Sequence, residues 1–133
     1  MVNFGITHLK NKYLYEISGG ELQLTLIARA LISEPKIIIM DEPETGLDIK
    51  NQIYILKLIK SLSDDNETTV IFNTHYIEHA INFSNKCILL SNNENIFGKT
   101  HDVISTQNIK KVFGVDIDIK KENNNKHILV NYE

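Results

Sequence analysis

"KIIIMDE", residues 36–42, sets four apolar side chains, three of them β-branched, directly ahead of two acids. An apolar run this short and this β-branched reads as a strand buried on both faces of a parallel sheet. Downstream, "IKNQIYILKLIKSLS" (49–63) has helical periodicity, with Ile49, Ile53, Leu56 and Ile59 facing inward. "TTVIFNT" (68–74) is a second buried strand. Strand, helix and strand joined by short loops make a parallel β-α-β unit.

Upstream, residues 19–33 form a helix in which Leu22, Leu26, Ala30 and Leu24, Ile27, Leu31 give a broad apolar surface. Pro35 ends it. Residues 2–14 read as a short helix and loop. Beyond the second strand, 76–84 is a helix and 86–91 a strand. "NNEN" turns into a short strand, "IFGKT", and a small helix covers 105–113. "VDIDIK" and "HILVNY" alternate apolar and polar residues across the Asn-rich turn at 123–125, the pattern of an exposed antiparallel hairpin. The fold class is α/β with a β-rich C-terminal end and no internal repeat.

The chain has 133 residues, enough for one modest domain. A net charge of −3 argues against a broad basic surface, so no nucleic-acid partner is expected. Cys87 is the single cysteine, which excludes an intrachain disulfide and fits a reducing cytoplasm. A bilayer span needs about 20 apolar residues, and the longest unbroken runs here are short, such as "CILL" (87–90). "MVNFGITHLK" has no apolar core of a secretory signal. Action at a membrane is therefore expected through a partner, without direct insertion.

Three places carry candidate chemistry. In "EISGGEL" (16–22), Ser18 and Glu21 have capping-box spacing, while Gly19 and Gly20 are costly at a helix start unless backbone must approach something closely. A helix N-terminus of this kind favours an anion. Asp41 and Glu42 stand where a buried strand emerges, the edge at which open parallel sheets bind ligands. Two adjacent acids there suit a metal or a polar substrate, or simply begin a turn before Pro43. His75 directly follows the second strand and either meets a phosphate oxygen or a reacting water, or is a surface histidine. His79 lies one helical turn further, with no third metal ligand nearby in sequence.

Together these elements resemble the ATP-binding-cassette (ABC) ATPase family. "ISGGE" (17–21) resembles its signature motif, "IIIMDE" (37–42) its Walker B strand, "TGLD" (45–48) its D-loop, and "THY" around His75 its H-loop. Four motifs in order within about 60 residues make the resemblance specific, and it covers nearly the whole chain. It divides the chain into a signature helix (17–33), a Walker B to H-loop segment (36–75) and a C-terminal region (76–133). The tail "ISTQNIKKVFGVDIDI" (104–119) is similar to the iron-siderophore, haem and cobalamin importer branch.

The resemblance implies ATP and Mg2+ as cofactors and a head-to-tail dimer with a second ABC ATPase subunit. It implies membrane permease subunits as further partners, and hence a peripheral place on the inner face of the cell membrane. Asp41 is then the Mg2+ residue, acting through water, Glu42 the general base, and His75 the γ-phosphate contact. Ser18, Gly19, Gly20 and Glu21 face a nucleotide held by the other subunit, and Gly46, Leu47 and Asp48 lie at the dimer interface. The sequence departs from the family pattern at Glu21 (commonly Gln), Glu44 (commonly Thr) and Tyr76 (commonly Asp).

The family's P-loop, G-x-x-x-x-G-K-[ST], is absent upstream of the signature. "NENIFGKT" (93–100) ends in Gly-Lys-Thr, but Asn93 stands where the first glycine belongs and Ile96 and Phe97 crowd the loop, so it reads as a hairpin strand. The expected fold is a partial P-loop NTPase, the C-terminal half of an ABC ATPase: a truncated or split product, or a piece of a longer chain. Three functions follow. The first is an ATP-hydrolysing transporter subunit for metal-chelate import, inactive alone. The second is a non-catalytic module offering its signature to an intact partner. The third is a soluble ABC ATPase of DNA repair or translation.

Overall fold

The computed structural model describes residues 4–65, 68–92, 94–123 and 125–132. Two compact units divide at Thr74 and His75.

The first unit is built on the expected β-α-β. Strand β1 (Ile37–Asp41) pairs in parallel with β2 (Thr69–Asn73), with Ile37 opposite Thr69 and Asp41 opposite Asn73. Helix α2 (Ile49–Asp65) makes the crossover, and α1 (Gly19–Leu31) precedes β1. Leu24 and Ile27 of α1, Ile38 and Met40 of β1, and Ile55, Leu58, Ile59 and Leu62 of α2 form one core. Two short 3-10 turns, Thr7–Leu9 and Leu14–Glu16, lead into α1 where a short helix and loop were expected.

Two expectations are corrected. β1 is buried on one face, since Ile38 and Met40 point into the core while Ile37 and Ile39 are 59% and 77% exposed. Ile71 of β2 is 52% exposed on the same side, so β2 is not a fully buried strand either. Strand side chains alternate between faces, and both helices of this unit pack on one of them. In α2, Leu56 and Ile59 are buried as expected, but Ile49 and Ile53 are 79% and 37% exposed. The helix carries two apolar lines of the same period, and the sheet takes the one through Ile55, Ile59 and Leu62.

The second unit runs α3 (Ile77–Phe83), β3 (Lys86–Leu90), β4 (Asn95–Lys99), α4 (Thr100–Val103), α5 (Thr106–Phe113), β5 (Ile117–Glu122) and β6 (Asn125–Val130). β3 pairs antiparallel with β4, so "IFGK" lies in a hairpin strand with Gly98 opposite Cys87, while Thr100, expected to end that strand, begins α4. β5 and β6 form the expected C-terminal hairpin. Its Asn-rich turn includes Asn124, and the β3–β4 turn includes Asn93; both lie outside the described residues. Ser105 caps α5 by accepting the Asn108 N–H at 3.2 Å, and Gly114, at φ +70°, closes its C-terminus. Ile81, Leu89, Val103, Ile104, Ile109 and Ile117 form this unit's core.

The side-chain amide of Asn82 on α3 bonds both backbone groups of Lys126, at 2.8 Å each, and Glu78 accepts the Ile128 N–H at 2.6 Å. One edge of the hairpin is thereby paired by side chains. Among the described residues, no helix is long and apolar enough to cross a membrane.

The packing line through α2 is testable by urea denaturation. Ile59→Ala, at 2% exposure, is expected to cost about 2–5 kcal/mol. Ile49→Ala is expected to stay within about 0.5 kcal/mol. Equal losses at the two positions would refute the assignment.

Candidate functional site

The capping box at the start of α1 forms as the sequence spacing requires. Ser18 Oγ accepts the Glu21 N–H at 3.3 Å, and the Glu21 carboxylate accepts the Ser18 N–H at 2.8 Å. The other Glu21 oxygen meets His8 Nε2 at 2.9 Å, and His8 Nδ1 lies 3.1 Å from the Gly5 carbonyl. Glu21 is thus turned back onto its own chain. The Ser18 backbone donor, then His8, then the Ser18 hydroxyl hold its carboxyl well below the ordinary 4.5, at about 2.

The two glycines have different reasons. A Cβ on Gly20 would fall 2.8 Å from the Asn51 side-chain amide, so close packing against α2 demands glycine there. A Cβ on Gly19 would meet only Leu47 Cδ2, at an ordinary 3.8 Å, and Gly19 is exposed. Close approach of an outside ligand therefore remains a reason for Gly19.

Asn51 also ties "ISGGE" to "TGLD". Its N–H and Nδ2 donate to the two carboxylate oxygens of Asp48 at 2.9 and 2.8 Å, and Asp48 caps α2, its carbonyl accepting from Gln52. Gly46, at φ +77°, makes the preceding turn, and Leu47 packs against the core. Asp48 has a structural role whatever else it touches.

Asp41 ends β1 exposed, opposite Asn73. Glu42 follows in the left-handed region at φ +42°, uncommon for a non-glycine residue. Its N–H donates to Asn73 Oδ1 at 2.7 Å, and its carboxylate accepts the Thr45 hydroxyl at 2.9 Å. Glu44 is 0% exposed, and its carboxylate accepts the Thr74 hydroxyl. The turn after β1 is therefore fastened twice to the end of β2.

His75 opens the second unit and is exposed. His79 lies against the Tyr76 ring, centroids 4.8 Å apart. Among the described residues, no group of three or more His, Cys, Asp or Glu is arranged to hold a metal. One exposed carboxylate, Asp41, nevertheless fits Mg2+, which is commonly held by one or two carboxylates with water and phosphate oxygens.

His8, Glu44, Asn73 and Thr74 were missed as supporting residues in the sequence. Asn51 had a signal, since Asp48-x-x-Asn51 is N-cap spacing.

A sequence profile described as "ABC transporter" matches residues 1–45. The molybdate import ATP-binding protein MolC of Haemophilus influenzae is 38% identical over 108 residues, covering 81% of this chain and 43% of the relative. A solved structure described as a metal-chelate type ABC transporter, inward-facing, superposes with a TM-score of 0.89 at 32% identity, over 97% of this chain and 54% of that one. An ATP-binding cassette solved as a dimer in a post-hydrolysis state with ADP and Pi gives 0.58 at 31% identity, over 71% and 43%. The chain spans about half the length of the proteins it matches.

Two measurements check this geometry. Because the Glu21 pKa falls on folding, its stabilising effect is complete above the ordinary 4.5 and is lost as pH drops toward about 2. The urea midpoints of wild type and Glu21→Gln should accordingly differ at neutral pH and converge across that acid window. Thr74→Val removes the hydroxyl bonded to buried Glu44 and should cost about 1–3 kcal/mol. Thr74→Ser keeps that hydroxyl and should recover most of the loss.

Proposed function

Because the chain belongs to the ABC transporter ATP-binding protein family, we propose that it supplies the signature, Walker B, D-loop and H-loop residues of a transporter's ATP-hydrolysing subunit. Glu42 carries the reading. It sits at the carboxyl end of β1, its backbone fixed by Asn73 and its carboxylate steadied by Thr45. A carboxylate at that edge is a general base for the water that attacks the γ-phosphate, taking the water's proton as phosphate leaves ADP. His75 donates to a γ-phosphate oxygen. Asp41 would hold Mg2+ through water, and the ion when bound would neutralise charge on the phosphate oxygens.

Ser18 and the Gly19 backbone reach the nucleotide of a second subunit, at the N-terminus of α1, where an anion is favoured. Glu21 remains ionised there, and its carboxylate is turned back onto the Ser18 N–H and His8. Gly20 supports that contact by seating Asn51, and through it Asp48 at the subunit interface with Gly46 and Leu47. The dimeric cassette holding ADP and Pi supports this reading. The metal-chelate transporter and the siderophore-importer-like tail favour a metal chelate as cargo, moved by permease subunits to which this chain docks. A second reading, a module that lends only its signature to an intact subunit, is favoured by the preformed capping box.

Mixing the chain with a complete relative and titrating ATP, followed by light scattering, should give ATP-dependent association that Gly19→Glu abolishes. Absence of association would rule out the contact across subunits. In an ATPase assembled from this chain, Glu42→Gln should lower turnover by about 100-fold or more. The 133 residues alone should turn over negligibly; turnover lost on Glu42→Gln would overturn that expectation.

A further inference from the structure

Side chains of β1 and β2 alternate between two faces of their sheet, and α1 and α2 pack on only one of them. The register sets Ile37 beside Thr69, Ile39 beside Ile71 and Asp41 beside Asn73 on the other face, and all six are exposed. Ile37, Ile39 and Ile71 make the middle of that face apolar. Parallel sheets are almost always covered on both faces, so this one lacks a layer.

The edge of β1 is open as well. Among the described residues, β1 and β2 pair only with each other. The Thr69 N–H donates to the Lys36 carbonyl at 2.7 Å, so residues 36, 38 and 40 bond toward β2. The N–H groups of Ile37, Ile39 and Asp41 then point to the opposite edge. A groove of about 210 Å³ lies along it, lined among others by Leu26 and Ala30 of α1 and by Ile39 and Asp41 of β1. Natural edge strands are blunted by charge, proline or a bulge, and "IIIM" (37–40) has none of these and keeps unbroken register. Ile39 belongs to both the bare face and the groove, so the two are continuous.

The metal-chelate transporter matches 97% of this chain with only 54% of its own, so the same elements stand there in a chain nearly twice as long. The 133 residues hold no G-x-x-x-x-G-K-[ST] stretch to cradle phosphates, and the bare face ends at Asp41, next to Glu42. We propose that this face and edge seat, in trans, the P-loop-bearing half of a cassette. That partner is a separate polypeptide that lays an apolar helix across Ile37, Ile39 and Ile71 and adds a strand beside β1. Two chains then complete one nucleotide site. The identity of the partner rests on the nucleotide reading, whereas the bare face and open edge do not.

The test refolds the 133-residue chain from urea, without ATP, together with the part of Haemophilus influenzae MolC that lies ahead of the segment matching this chain. Light scattering should show a one-to-one complex, and hydrogen exchange at the Ile39 amide should slow about tenfold or more when it forms. Ile39→Lys, at an exposed position that leaves the free chain folded, should weaken association about tenfold or more by burying an unpaired ammonium. Tyr132→Lys, on an exposed residue of the second unit, should leave association unchanged. No complex, or one that Ile39→Lys leaves intact, would overturn the proposal. So would self-association of the chain through this face that the MolC segment fails to displace. The complex needs no ATP, so its absence is separable from failure of the ATP-dependent contact at Gly19.

Discussion

Parallel pairing of β1 with β2 is the constraint on which the first unit depends. Five rungs, from Ile37–Thr69 to Asp41–Asn73, bring the ends of two strands side by side although more than 30 residues separate them in sequence. Parallel strands cannot be joined by a tight turn, so α2 has to cross over, and its apolar line then closes the core against Ile38 and Met40. The turn after β1 inherits its shape from that pairing. Asn73 and Thr74 become available as fasteners only at the matched end of the ladder, and they hold Glu42 and Glu44 there.

The same arrangement carries outward to the signature. α2 begins at Asp48, Asn51 sits one turn in, and Gly20 of α1 packs on its amide. Three segments read separately along the chain are thus one body in the first unit. The motif glycine with the strictest steric requirement is the one that faces inward.

Much of this was legible. "KIIIMDE", the periodic stretch after it and "TTVIFNT" specify a crossover, because run length and periodicity separate strand from helix there. The capping box and both hairpins follow from local spacing and turn chemistry. Illegible were choices that depend on what packs where. The run at 37–40 is equally apolar on its two sides, so it cannot tell which side is left bare. The line through Ile49, Ile53, Leu56 and Ile59 fits the helical period as well as the line the sheet takes. The fasteners bridge 13 to 31 residues, and Glu44, wholly buried, looks in sequence like any surface carboxylate.

The left-handed backbone of Glu42 bears on how this stretch can evolve. A non-glycine residue held there costs roughly 1–2 kcal/mol in conformation, which the surrounding bonds have to offset. β-branched side chains are effectively closed to the position, and glycine would relax it. Drift toward stability therefore leads away from the carboxylate. Glycine at this position would therefore be a stabilising replacement that removes the carboxylate.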